Sequence, residues 1–213
     1  MASNPQWNQP LTAWKNHFQS WIEEPDTEEL LRFNIFFDFR CVFGETSLVR
    51  SLRRHIHGTL VEHPAFFFHL ARNALSHKVP ISAFGKIITE TVHGREEVFN
   101  AKEAVLPLVN FARLYALQHG IKKINTADRL RALWEAGVLQ RSSFNELLQA
   151  YNILMLLRYK RQSSAITEDL PPDNDISLRN LTEIEKSGLK QAFSQVTTIL
   201  KKIAFDFPGA EGL

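Results

Sequence analysis

The chain has 213 residues, 44% of them hydrophobic and 23% charged, enough to bury a sizeable core without a disulfide or a structural metal. Its 25 Lys and Arg against 23 Asp and Glu leave a net charge of +2, which excludes the strong basic field of a general nucleic-acid or membrane-surface binder. The single cysteine, Cys41, excludes an internal bridge and a CxxC zinc site, and it fits a reducing compartment, so a cytoplasmic location is expected.

Residues 1–10 are polar and lack the basic stretch and apolar run of a signal peptide. The apolar runs at 65–68 and 153–157 fall far short of the roughly 18 residues that a membrane helix needs. Leu11, Trp14, Phe18, Trp21 and Ile22 recur at offsets of three, four and seven, predicting an amphipathic helix over 10–24 that ends at Pro25. Asp26 or Thr27 can cap a second helix through Leu30, Leu31 and Ile35, because either side-chain oxygen accepts from the free amides of a first turn. A third helix is read over 47–57. A fourth opens with Pro64 and runs through Phe67, Leu70 and Ala74 to stop before Pro80.

Residues 86–100 change character. Ile87, Ile88, Thr89, Thr91 and Val92 are mostly β-branched, and a His93-Gly94 turn precedes Glu97, Val98 and Phe99, which predicts a short β-hairpin. Helical spacing resumes with Val105, Leu108, Ala112 and Tyr115 and stops near Gly120, whose missing Cβ permits a left-handed terminus. Asn125 or Thr126 caps a helix to Gly137, and Ser142 or Ser143 starts another through Leu147, Leu154 and Met155. A polar stretch at 162–180 interrupts before a last long helix through Leu189, Phe193, Val196 and Ile203. The expected fold is mainly α: a helical bundle of about seven or eight helices with one short hairpin, forming a single domain over 1–207 with a flexible tail at 208–213.

Several chemistries are missing. The nine glycines include no phosphate-binding P-loop, no GxGxxG fingerprint, and no Gly-Ser dipeptide of the kind that opens a nucleotidyltransferase active site. No HExxH helix is present, and the spacing of His55, His57, His63, His69 and His77 favours solvated side chains over a metal site. Arg72 and His77 match the Arg-x(4 to 6)-His pattern of HEPN-type ribonucleases, but Arg50 with His55 and Arg113 with His119 match it equally well. Within Phe36-Phe37-Asp38-Phe39-Arg40, an acid and a base among aromatics suit either an ion pair or a ligand site. Arg113, Asn125 and Arg129 suit either a cationic phosphate pocket or a solvated face.

An ordered series of fragments carries a more specific signal. It comprises Asn4-Pro-Gln-Trp7, Phe36 to Arg40 with Gly44 and Leu48, Phe67 to Ala74, Lys102 with Pro107, Ala112 to Leu117, Gly120, Asn125-Thr126 and Arg129-Leu130. Pro172-Asp173-Asn174 and Leu189 to Phe193 complete it. The series resembles the C-terminal domain of bacterial nucleotidyltransferases that carry cyclic-nucleotide-binding and CBS modules upstream, relatives of the protein-PII uridylyltransferases of signal transduction. The resemblance implies a helical substrate-binding module that works with a Gly-Ser and carboxylate catalytic domain, supplied in cis or in trans. It implies a nucleoside triphosphate with magnesium in the complete enzyme, a PII-type regulatory protein as acceptor, and neither catalysis nor a bound cofactor in this chain alone.

By position in that series, Arg40, Lys102, Arg113 and Arg129 are expected to face nucleotide phosphates, with Asp38, Tyr115 and Asn125 shaping the pocket. Asn100 and Asn110 stand where the family's aspartates are expected. Neutral amides are weaker magnesium ligands than carboxylates. The competing readings are a HEPN-like ribonuclease and a non-catalytic helical interaction module.

Overall fold

The computed structural model describes residues 3–77, 79–82, 86–92 and 94–210, with Arg95 described for its backbone alone. The chain divides into two compact units, Met1–Asn73 and Ala74–Leu213.

The first unit holds α1 (Leu11–Glu23), α2 (Thr27–Phe36), α3 (Thr46–Glu62) and most of α4 (Ala65–Leu75). Its helices start where the local chemistry allows. Asp26 caps α2 by accepting from the Glu29 amide at 2.8 Å, and α4 begins directly after Pro64. The predicted third helix extends further than its spacing suggested, to Glu62. The core is aromatic: Phe18 of α1 meets Phe33 of α2 edge-on at 5.8 Å, and Phe33 meets Phe66 of α4 at 4.7 Å. Phe33 is fully buried, and burial of such a side chain contributes about 2 to 3 kcal/mol. Arg53 of α3 donates to the Phe39 carbonyl at 2.9 Å and tethers the segment that leaves α2.

The second unit is built around α5 (Ala101–Gln118), whose residues from Asn110 to Ala116 are all buried. Packed against α5 are α6 (Thr126–Glu135), α7 (Arg141–Thr167) and α8 (Glu183–Asp206). Pro107 stands inside α5, so the carbonyl one turn earlier loses its helical donor. Asn125 caps α6 through the Ala127 amide at 2.9 Å. Gly120 and Gly137, at φ +65° and +74°, end α5 and α6 in matching fashion. The Gly120 and Ile121 amides return to Leu117 and Ala116, and the Gly137 and Val138 amides return to Trp134 and Leu133.

Two expectations need correction. The helix predicted as far as Met155 continues through Thr167, well into the polar 162–180 stretch. It closes with the same paired returns, from Asp169 to Ile166 and from Leu170 to Ala165, but with Asp169 rather than glycine in the left-handed position at φ +56°. The hairpin of β1 (Glu90–Val92) and β2 (Arg95–Asn100) also gains a third strand, β3 (Asp175–Ser177), from the same stretch. The sheet order is β1-β2-β3, antiparallel throughout, with Phe99 opposite Ile176. Two strands alone are marginal in water, and the third strand together with Phe99 packing edge-on against Phe193 of α8 at 5.7 Å secures them. Of the expected His93-Gly94 turn, Gly94 takes φ +76°, and His93 lies outside the described residues. After α8, Ala210 is buried, and 211–213 lie outside the described residues.

Candidate functional site

Five of the seven candidate residues, Lys102, Arg113, Tyr115, Asn125 and Arg129, fall on α5 or on the start of α6, two helices that pack against each other. Lys102 is exposed in the first turn of α5. Arg113 is 9% exposed, and its Nη1 donates to Asn110 Oδ1 at 3.4 Å. Arg129 is buried to 1% and spends its Nε on the Lys123 carbonyl at 2.8 Å, which ties α6 to the loop before it. Asn125 is exposed, with its Oδ1 engaged as the α6 cap.

Tyr115 is the most constrained of the five. Its hydroxyl donates to Asp206 Oδ2 at 2.5 Å, and Lys202 Nζ reaches the same oxygen at 2.7 Å while lying 5.3 Å from the centre of the Tyr115 ring. Burial and the hydrogen bond to Asp206 push the phenol far above the ordinary tyrosine range, so it stays protonated and keeps donating to that carboxylate. Burial raises the Asp206 carboxyl, but the Lys202 ammonium and the Tyr115 hydroxyl outweigh it and hold the carboxyl below the usual aspartate range. This triad anchors the end of α8 to α5.

Asp38 and Arg40 belong to the first unit, in the connection between α2 and α3. Asp38 is half-buried and Arg40 is exposed.

The polar centre that sequence spacing missed lies on α7 and the segment leading into β3. Arg161 grips Asp173 with two hydrogen bonds, of 2.8 and 2.6 Å, and Asp173 also accepts from the Asp175 amide at 3.0 Å. The hydrogen bonds to Asp173 raise the Arg161 pKa further and keep the guanidinium charged. Arg158 and Gln162 both donate to Asn174 Oδ1, at 2.8 and 3.2 Å, and the Asn174 carbonyl accepts from the Ala101 amide at the start of α5. The Pro172-Asp173-Asn174 signal therefore marks a clasp between α7, β3 and α5. Beside it opens a cleft of about 690 Å³ floored by Leu157, Ile176 and Leu181 and walled by Lys160, Arg161 and Asp173. None of the seven candidates lines it.

Among the described residues no three His, Cys, Asp or Glu side chains converge as metal ligands. What the second unit offers is binding chemistry: buried guanidinium groups, amide donors and a paired-charge cleft.

Residues 64–207, more than half of the chain, match the family model described as "Putative nucleotidyltransferase substrate binding domain". The chain belongs to that family. It carries the accessory, substrate-binding domain of a nucleotidyltransferase, and the sheet, the clasp, α5 and α6 all lie inside the matched range. Residues 1–28 match a second model, described as "Putative nucleotidyltransferase DUF294". No curated protein and no solved structure gives a significant match. Among the described residues no helix of this substrate-binding domain chain is long and apolar enough to cross a membrane.

Proposed function

We propose that the chain is the substrate-binding module of a uridylyltransferase-like nucleotidyltransferase, working beside a Gly-Ser and carboxylate catalytic domain in cis or in trans. The donor is a nucleoside triphosphate carrying magnesium, and the acceptor is a regulatory protein of the PII kind. The observation that supports this reading is the family match over 64–207, within which five candidate residues lie on the packed pair α5 and α6.

The chemistry is consistent with a binding role. A guanidinium keeps its charge when buried, and Arg113 and Arg129 are the buried cations of the two helices. Of the two, Arg113 is the one with exposed surface for phosphate oxygens, while Arg129 holds the Lys123 carbonyl and shapes the start of α6; Lys102 adds a mobile charge, and Asn125 retains amide donors for a ribose or base. Magnesium, when bound in the complete enzyme, neutralises the triphosphate; the residues of this chain hold and orient the substrate.

The test is calorimetric titration of the purified chain with the common nucleoside triphosphates and magnesium, with and without a separately expressed catalytic domain. Binding in either arrangement is the expected result, and Arg113→Ala should weaken it by about 1.5 to 3 kcal/mol, the range for a hydrogen bond to a charged group. Affinity unchanged by Arg113→Ala would remove that residue from the site, and no binding in any arrangement would overturn the reading.

A further inference from the structure

Among the described residues, the large apolar side chains that the first unit leaves exposed are Leu31, Ile35, Val42, Phe43, Leu48 and Val61. All six fall between the two family matches, after residue 28 and before residue 64. Leu31 and Ile35, both more than half exposed, are four apart on α2 and so share the face opposite buried Leu30 and Phe33. The loop that follows α2 presents Val42 and Phe43 at 85% and 98% exposure. Gly44 at φ +94° turns the chain directly after them, and Cys41 Sγ approaches the Phe43 carbonyl at 3.5 Å, so the loop has an ordered shape. Exposed Arg50 and Arg54 lie one turn apart on α3. Single exposed apolar residues are ordinary, but this density along one short stretch is not.

From the distribution of these side chains we infer that the α2 outer face and the 42–43 loop form the docking surface for a nucleotidyltransferase catalytic domain. This rests on the reading above, that the chain works beside such a domain. The occupant follows from where the matches fall. The nucleotidyltransferase match includes α1 and reaches the first turn of α2. That helix is fixed in the first unit by Phe18 against Phe33 and by Trp21 stacked on Phe36 at 6.0 Å. A nucleotidyltransferase domain that meets the chain at α1 therefore lies next to α2, and burying Leu31, Ile35, Val42 and Phe43 removes from water most of the large apolar side chains that this unit leaves exposed.

The experiment measures binding of the intact chain to a separately expressed catalytic domain of a nucleotidyltransferase of this family, by sedimentation velocity and calorimetry. The double substitution Val42→Ser with Phe43→Ser should weaken binding at least about tenfold without lowering the unfolding temperature, because both side chains are exposed. A control pair, Ile184→Ser with Phe205→Ser, removes equally exposed apolar side chains from α8 and should leave binding unchanged. Retained binding by the 42–43 variant, or equal loss in the control pair, would overturn the docking surface and leave the accessory role standing. A wild-type chain that binds no catalytic domain would overturn both. A wild-type dimer that the 42–43 variant dissolves would overturn the proposal in favour of a second copy of the chain.

Discussion

Asn100 and Asp175 are joined side chain to side chain across 75 residues of sequence, the Asn100 Nδ2 donating to Asp175 Oδ1 at 3.0 Å. The other end of the same amide caps α5, with Oδ1 accepting from the Glu103 amide at 3.1 Å. An aspartate can do the second job but not the first, because its carboxylate has no proton to donate and would face a like charge. The amide at this position thus has a structural reason within this chain. Asn100→Asp should destabilise the protein by about 1 to 2 kcal/mol at neutral pH, after the gain at the helix terminus is offset. Two carboxylates repel only when both are ionised, so the penalty is present at neutral pH and fades as the pH falls through the carboxylate range. Thermal unfolding at neutral pH and near pH 4 checks this, and an equal deficit at both would exclude the charge explanation.

Tyr115→Phe removes the hydroxyl that reaches Asp206 while keeping the ring against Phe111, at 4.6 Å between centroids. A loss of about 1 to 3 kcal/mol in urea unfolding is expected for a buried donor to a carboxylate. Asp206 titrates below the ordinary aspartate range, so its contribution is present above that range and lost as the pH falls through the folded value. The variant should therefore show a shallower acid decline than the wild type; parallel acid curves would rule out this coupling.

Asp169 occupies the left-handed position that closes α7, at φ +56°. Glycine takes that conformation without the Cβ penalty. Asp169→Gly should raise stability by about 0.5 to 1 kcal/mol. A lower melting temperature would mean that the aspartate makes a contribution beyond backbone conformation.

Burial lowers the pKa of both His69 and His77; Arg72 adds to the effect at His69, and Glu103 opposes it at His77. The folded chain then resists protonation that the unfolded chain accepts. Stability should be complete above about pH 6.5 and decline as the pH falls through that value toward the folded pKa. His77→Gln should flatten part of this decline when melting temperature is followed from about pH 7.5 to pH 5. Curves of identical slope would show that His77 is not a source of it.

The helices whose ends carry their own chemistry are legible in the residues, to within one position at each cap. Asp26 and Asn125 cap because their side chains reach the amides two or three residues on, and Gly120 and Gly137 stop helices because they take positive φ. The aromatic face of α1 was legible from 3.6-residue spacing, whereas α2, read through Leu30, Leu31 and Ile35, buries Leu30 and Phe33 and leaves the other two exposed; the family series pointed to a substrate-binding domain that the 64–207 match shows. Tertiary structure decided the rest. Nothing local marks 175–177 as a strand; its partner is β2, some 75 residues earlier, and pairing at that distance leaves no periodic trace in a polar stretch. The end of α7 was hidden because Asp169 stands where a glycine would have announced it. By residue type Arg129 suits a phosphate pocket or a solvated face, yet the fold buries it against the Lys123 carbonyl. Caps and periodicity are properties of neighbours in sequence, whereas burial and strand pairing belong to neighbours in space.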